Sequence, residues 1–152
     1  MHLGVDDYLL RLGAAFVLGS IVGLERERQP RPAGLRTHML VCVGSALVII
    51  VSTYGFNDVV AESGVVLDPS RIAAQVVTGI GFIGAGTIIA NPDKVRGLTT
   101  AASLWAVAGI GLAAGAGLYG PAIAATVLVM IILVPFKYVE GWLFHRQGPV
   151  DD

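Results

Sequence analysis

The chain has 152 residues, 55% of them hydrophobic and 14% charged, with a formal net charge of −1 and a mean hydropathy of +0.75. Soluble domains average about half apolar and about one-quarter charged, so the composition excludes an ordinary soluble domain, and the near-neutral balance gives no footing for nucleic acid. The length allows about one domain, and a single cysteine, Cys42 in an apolar run, excludes an intrachain disulfide and a thiolate metal cluster and reads as a small core residue.

In chain order, the N-terminus "MHLGVDDYLLRLG" does not read as a secretory signal, because the charge before the apolar run is acidic, from Asp6 and Asp7. A helix needs about 20 mostly apolar residues to cross a hydrocarbon core of about 30 Å, which predicts a first span over about 8–24, with Arg11 able to snorkel to the surface. A second is predicted over 38–54, a polar segment with Asn57, Asp58, Glu62 and Asp68 follows, and a third span covers 70–90. The uncharged stretch from Leu98 to Phe136 is too long for one crossing and suits two, over 98–117 and 121–136, joined at "GLYGP". The segment 141–152 is left as a short cytoplasmic tail. The expected fold is all-α and integral to the membrane, a compact glycine-rich bundle of five transmembrane helices, since an isolated strand cannot satisfy its backbone groups in lipid.

Five spans with the N-terminus outside put Arg26, Arg28, Arg31, Arg36, Lys94, Arg96, Lys137 and Arg146 on one side, eight of the ten Lys and Arg residues. That is the partition the positive-inside rule requires of a cytoplasmic face. The C-terminus then lies in the cytoplasm. Glu25 and Glu27 add nothing to topology, so the charged segment reads either as an anchor alone or as a specific cluster.

Glycine is the second signal. Gly19 and Gly23 on the first helix, Gly79, Gly81, Gly84 and Gly86 on the third, and Gly111 and Gly115 on the fourth are candidates for close helix packing, which in lipid replaces the missing hydrophobic drive. The Gly111/Gly115 pair serves packing within or between subunits equally well, and it is the seam expected for a C2 homodimer or another homo-oligomer. Polar residues inside the spans are the third signal. Arg71, Gln75 and Thr78 share one helical face, as do Thr99 and Ser103, whose hydroxyls can bond a carbonyl of their own helix.

The blocks "GLERE", "AGLRTHMLVCVGSAL", "RIAAQVVTGIGFIGAGTII" and "VRGLTTAASLWAVAGIGLAAGAGLY" resemble, in order, the N-terminal membrane domain of the MgtC/SapB family. The resemblance implies a bacterial inner-membrane protein linked to growth at low magnesium and, in pathogens, to virulence. It points to Glu25, Arg26, Gly34, Arg36, Thr37, His38, Arg71, Gln75, Gly79, Gly81, Phe82, Gly84, Gly86, Arg96, Gly97, Thr99, Thr100 and Trp105. The best-known family type carries a soluble C-terminal domain, whereas here only 16 residues follow Phe136.

Catalysis is not expected: Cys42 has no base near it in sequence, His2 and His145 lie in terminal segments, and only His38 adjoins a charged cluster. No cofactor and no metal cage are expected, because the spans hold no deep carboxylate for magnesium. Two function classes remain: a regulator that binds another membrane complex, and a small oligomeric ion transporter or channel, for Mg2+ among other ions, using Gln75, Thr78, Thr99 and Ser103 as a polar path. The lipid bilayer is a partner in both. The sharpest expectation is a charge network of Glu25, Arg26, Arg36 and Arg96 at the cytoplasmic mouth, with Thr37 and Thr99 beside it.

Overall fold

The computed structural model describes residues 4–29, 31–56, 68–92 and 94–136. Asn57, Asp58, Glu62, His2 and the tail with Lys137, His145 and Arg146 lie outside them. The described residues form five helices and one hairpin: α1 (Val5–Glu27), α2 (Leu35–Tyr54), α3 (Pro69–Ala85), β1 (Ile89–Asn91), β2 (Lys94–Arg96), α4 (Leu98–Gly115) and α5 (Tyr119–Leu133).

Helix directions follow from residues that meet. Gly19 and Gly23 of α1 lie against Cys42 and Leu35 of α2, so these two run antiparallel. Ser52 near the end of α2 donates to the carbonyl of Pro69 at 2.6 Å, and Gly84 near the end of α3 lies against Ala101 of α4, so α3 runs back along the bundle beside both. His38 meets Ser103, while Cys42 and Ala46 meet Gly111 and Gly115, which makes α2 and α4 parallel. One end therefore gathers the C-terminus of α1, the N-termini of α2 and α4, and the hairpin. The other gathers the start of α1, the ends of α2 and α4, and the start of α3.

The interior is apolar and close-packed. Ala15, Leu18 and Val22 of α1, Cys42 and Ala46 of α2, Val107, Ile110 and Ala114 of α4, and Ala122 of α5 make one buried cluster. Their spacing of three and four residues is the period of a helix face turned inward. Outside, the chain is equally apolar: Leu9, Phe16, Leu40, Trp105, Leu128 and Ile132 are all exposed. A soluble monomer does not leave so continuous an apolar coat in water, whereas lipid solvates it without cost. Three helices, α1, α2 and α4, are long and apolar enough to cross a bilayer at 23, 20 and 18 residues.

Helix limits differ from the hydropathy limits in a consistent way. Both α1 and α2 extend about one turn into the charged segment, because backbone hydrogen bonding continues where the side chains become polar; Glu25, Arg26 and Thr37 are thereby helical. In the other direction, α3 ends at Ala85 rather than near 90, and Ile89 and Ala90 enter a hairpin pairing Ile89 with Arg96 and Asn91 with Lys94. The stop is local: the Thr87 hydroxyl bonds the Gly84 carbonyl at 2.7 Å, and Pro92 turns the chain between the strands. Gly97 closes the hairpin onto α4 with φ of 88°, and a side chain there would collide with the Thr87 carbonyl.

The packing glycines divide into two sets. A β-carbon at Gly19 would lie 2.7 Å from that of Cys42, and one at Gly23 would lie 2.9 Å from Leu35 Cα. At Gly111 and Gly115 it would run into the α2 backbone at Cys42 and Ala46. The Gly111/Gly115 face is thus occupied by α2 of the same chain, which corrects its expected use as a dimer seam. On α3, Gly84 is in ordinary contact with Ala101, Gly86 caps the helix, and a β-carbon at Gly79 or Gly81 would meet nothing within 4 Å.

Candidate functional site

The last turn of α1 carries charge into the bundle. Positions 15, 18, 22 and 25 continue one inward stripe, so the helix that buries Ala15, Leu18 and Val22 also buries Glu25, 7% exposed, and Arg26, 2% exposed. The two are joined as an ion pair through Arg26 Nε and Glu25 Oε2. Glu25 Oε1 accepts a second bond from Gln29 Nε2 at 2.6 Å, and the Gln29 amide oxygen accepts from Arg31 at 3.2 Å. A buried carboxylate tolerates its desolvation only with this kind of pairing, and removing either charge strands the other.

Glu27, next in sequence to the pair and exposed, turns to α2. Gly34 at the N-cap of α2 has no side chain to offer, and Glu27 Oε2 accepts the Leu35 backbone N–H at 2.8 Å in its place. A carboxylate from α1 thus stitches the two helices together across the loop.

His38 is completely buried beside this charge. Its Nδ1 faces the Gly34 carbonyl at 2.9 Å and its Nε2 faces Ser103 Oγ at 3.0 Å, while Ser103 Oγ also lies 2.9 Å from the Thr100 carbonyl. A carbonyl only accepts, so Nδ1 carries a hydrogen; in the neutral ring Nε2 is then left to accept, and the single Ser103 proton serves either Nε2 or the Thr100 carbonyl. This relay ties α2 to α4 at the level of the ion pair.

The expected network therefore assembles differently. Glu25 and Arg26 come together, with His38, Thr100 and Ser103 buried beside them, and Thr37 and Thr99 are half-buried nearby. Arg36 is exposed at the start of α2 and Arg96 is exposed on β2, and neither enters the buried ion pair: the carboxylate is taken by the adjacent Arg26. Arg71, Gln75 and Thr78 stand apart, exposed along the outside of α3. The supposed polar path is thus divided, with Ser103 inward and Gln75 and Thr78 outward. Among the described residues no three His, Cys, Asp or Glu side chains converge as metal ligands.

Gln29 is a member absent from the expected network, and Glu27, noted in the sequence only as a charge that topology does not require, is the one that reaches α2. The i, i+4 spacing of Glu25 and Gln29 was the available signal. Arg11 was also undervalued. At the opposite end it donates to the Gly115 carbonyl at 2.7 Å, capping α4, and lies 5.4 Å from the centre of the Tyr54 ring, which Tyr8 meets edge-on at 6.3 Å.

Comparison with known proteins places this architecture. The MgtC family model matches residues 12–142. This chain belongs to the MgtC family. Its relatives include the Escherichia coli K12 protein named "Putative magnesium transporter YhiD", 48% identical over 93% of this chain and 66% of that protein. Protein SapB of Bacillus subtilis is 40% identical over 94% of this chain and 60% of its own length, and protein MgtC of Salmonella typhimurium is 46% identical over 81% and 49%. This MgtC family chain thus spans between about half and two thirds of these relatives' length. No solved structure matches it. All four of the quoted sequence blocks fall within the matched residues, and so does the buried set from Glu25 to Ser103. Family and apolar helices together point to a membrane protein.

Proposed function

We propose that this chain is a non-enzymatic protein of the bacterial inner membrane that binds and regulates another membrane complex during adaptation to low magnesium. The observation that carries the reading is the filled interior. Where a conduction path would run between α1, α2 and α4, Val22, Cys42, Ala46, Val107 and Ala114 are buried with no exposed area at all. The buried polar groups are spent on one another, Glu25 on Arg26 and His38 on Ser103, which holds an end rather than lining a passage.

Five crossings with the N-terminus outside and the C-terminus in the cytoplasm complete the proposal. What supports this orientation is that exposed Arg28, Arg36, Lys94 and Arg96 gather at one end of the bundle. That end presents a basic surface, braced from beneath by the buried pair, and it suits a partner with an acidic cytoplasmic face. A virulence role is part of the same proposal only through the family resemblance.

A second reading, an oligomeric Mg2+ transporter, is favoured by the name of the YhiD relative and by the outward polar residues of α3. Purified protein in liposomes loaded with a magnesium indicator separates the two. The regulator gives no flux above empty liposomes, while the same protein restores growth at limiting magnesium to a strain lacking it, and Arg36→Glu with Arg96→Glu removes that growth without lowering its level in the membrane. Flux that saturates with magnesium would overturn the regulator.

A further inference from the structure

The outside of α3 has the wrong chemistry for lipid. Ile80 and Gly84 turn inward and are buried, and on the opposite side Arg71, Gln75, Thr78 and Phe82 fall at i, i+4, i+7 and i+11, a single exposed stripe. Thr78 satisfies its hydroxyl on the Ala74 carbonyl at 3.3 Å, and Arg71 sits in the first turn, where a long cation reaches the membrane surface. Gln75 has neither way out. It is the seventh residue of α3, about 10 Å along the axis, and its amide has no hydrogen bond to a described residue. An amide in hydrocarbon without a partner is costly, so something other than lipid must cover it.

The stripe is complementary to itself. A glutamine amide both donates and accepts, so two of them related by a two-fold axis satisfy each other. Towards the surface, exposed Arg71 and Asp68 lie about one and two turns from Gln75 with opposite charge, so each Arg71 that the axis brings to the seam has Asp68 of the partner subunit within reach to balance it. Gly79 and Gly81 flank the stripe with open space where side chains would be, which permits close approach of a second helix. Phe82, 85% exposed and the most exposed large apolar residue described, lies at the far end of the seam.

We propose that the chain pairs with a second copy of itself along the outer face of α3, from Asp68 to Phe82, with the two Gln75 amides hydrogen-bonded across the two-fold axis. The pairing rests only on α3 lying within the bilayer beside α2 and α4, and it is independent of whether the dimer regulates or transports.

Disulfide cross-linking in native membranes tests it, in a Cys42→Ala background. With added oxidant, Gln75→Cys and Phe82→Cys each give a covalent dimer, whereas Val77→Cys and Leu128→Cys, exposed on other faces, stay monomeric. Dimers formed equally well from Leu128→Cys would mean random collision and overturn the proposal. So would absence of dimer at positions 75 and 82, including the case in which both are shielded from maleimide, which assigns the face to residues 137–152 or to a different protein. A second measurement guards against misfolding: Gln75→Leu suits lipid and leaves the monomer intact, yet lowers dimer affinity, read by energy transfer between labelled copies, roughly 3- to 30-fold. Unchanged affinity in Gln75→Leu would remove the amide pair.

Discussion

Helices α3 and α4 lie side by side and are similarly rich in glycine, yet one pair of glycines on each meets an opposite fate. Those of α4 at 111 and 115 are pressed against the backbone of α2, while those of α3 at 79 and 81 face open space. Polar residues divide the same way: Ser103 of α4 is buried against His38, and Gln75 of α3 points outward. A small residue permits close approach, but chain topology decides which helix comes. Because α2 and α4 run parallel at the centre of the bundle, Gly111 and Gly115 are used within the subunit, whereas Gly79 and Gly81, on the outer side of α3, meet no other part of it.

The largest effect that follows is at the α2–α4 contact. Gly111→Leu and Gly115→Leu drive a side chain into the α2 backbone, beyond the about 1–3 kcal/mol of ordinary overpacking, because the obstructing atoms are main chain and cannot change rotamer. These variants should yield no folded protein by detergent size-exclusion and thermal melting, whereas Gly79→Leu and Gly81→Leu should fold with an unchanged midpoint. A folded Gly111→Leu monomer would erase the contrast between the helices.

The next effect compares buried with exposed charge. Glu25→Gln leaves Arg26 buried without its carboxylate, at a cost of about 3–5 kcal/mol, while Arg36→Gln at the exposed start of α2 should lie within about 0.5 kcal/mol of wild type. The double change Glu25→Gln with Arg26→Gln should cost less than the two single changes added, since the second removes the charge that the first stranded. Thermal melts of the purified protein check all three. Equal losses in Glu25→Gln and Arg36→Gln would restore the wider network in which Arg36 takes part.

How far these contrasts were legible depends on the range of the interaction. The helical character of the apolar runs and the clustering of basic residues at one end are written in local composition. The end of α3 was not legible from hydropathy, because Ile88 and Ile89 continue the apolar run past the turn at Gly86 and Thr87. Nor was the partner of Glu25: four arginines lie within 11 residues of it, and which one shares its burial is decided by the rotation of α1 about its axis. The His38–Ser103 contact joins residues 65 apart and has no local signature. The polar stripe on α3 was visible as a periodicity, but its outward direction became clear only once α2 and α4 were seen to meet the other face.

The smallest expected effect lies at the head of that stripe. Asp68 caps α3, with Oδ1 accepting from Ser70 N at 3.0 Å and from the Ser70 hydroxyl at 2.6 Å. The hydroxyl bond and then the backbone bond hold its carboxyl below the ordinary range, with Arg71 adding a lesser pull in the same direction. A pKa depressed on folding means stability that is complete above the unfolded value of about 3.9 and is lost as pH falls through the lower folded value. Because Asp68 is fully exposed, the effect is confined to the first turn of α3. Hydrogen exchange at Arg71 and Ile72, corrected for intrinsic rate, should quicken as pH drops below about 4 in wild type, and in Asp68→Asn, which keeps a capping oxygen without the charge, it should be flat. If α3 pairs with a second copy, Asp68 also meets Arg71 of the partner subunit, which depresses its pKa further, so the acid-induced loosening should set in at lower pH in the covalent dimer of Phe82→Cys than in dilute protein, where the dimer dissociates. Identical profiles in the two forms would confine Asp68 to its own helix and leave the outer seam to Gln75 alone.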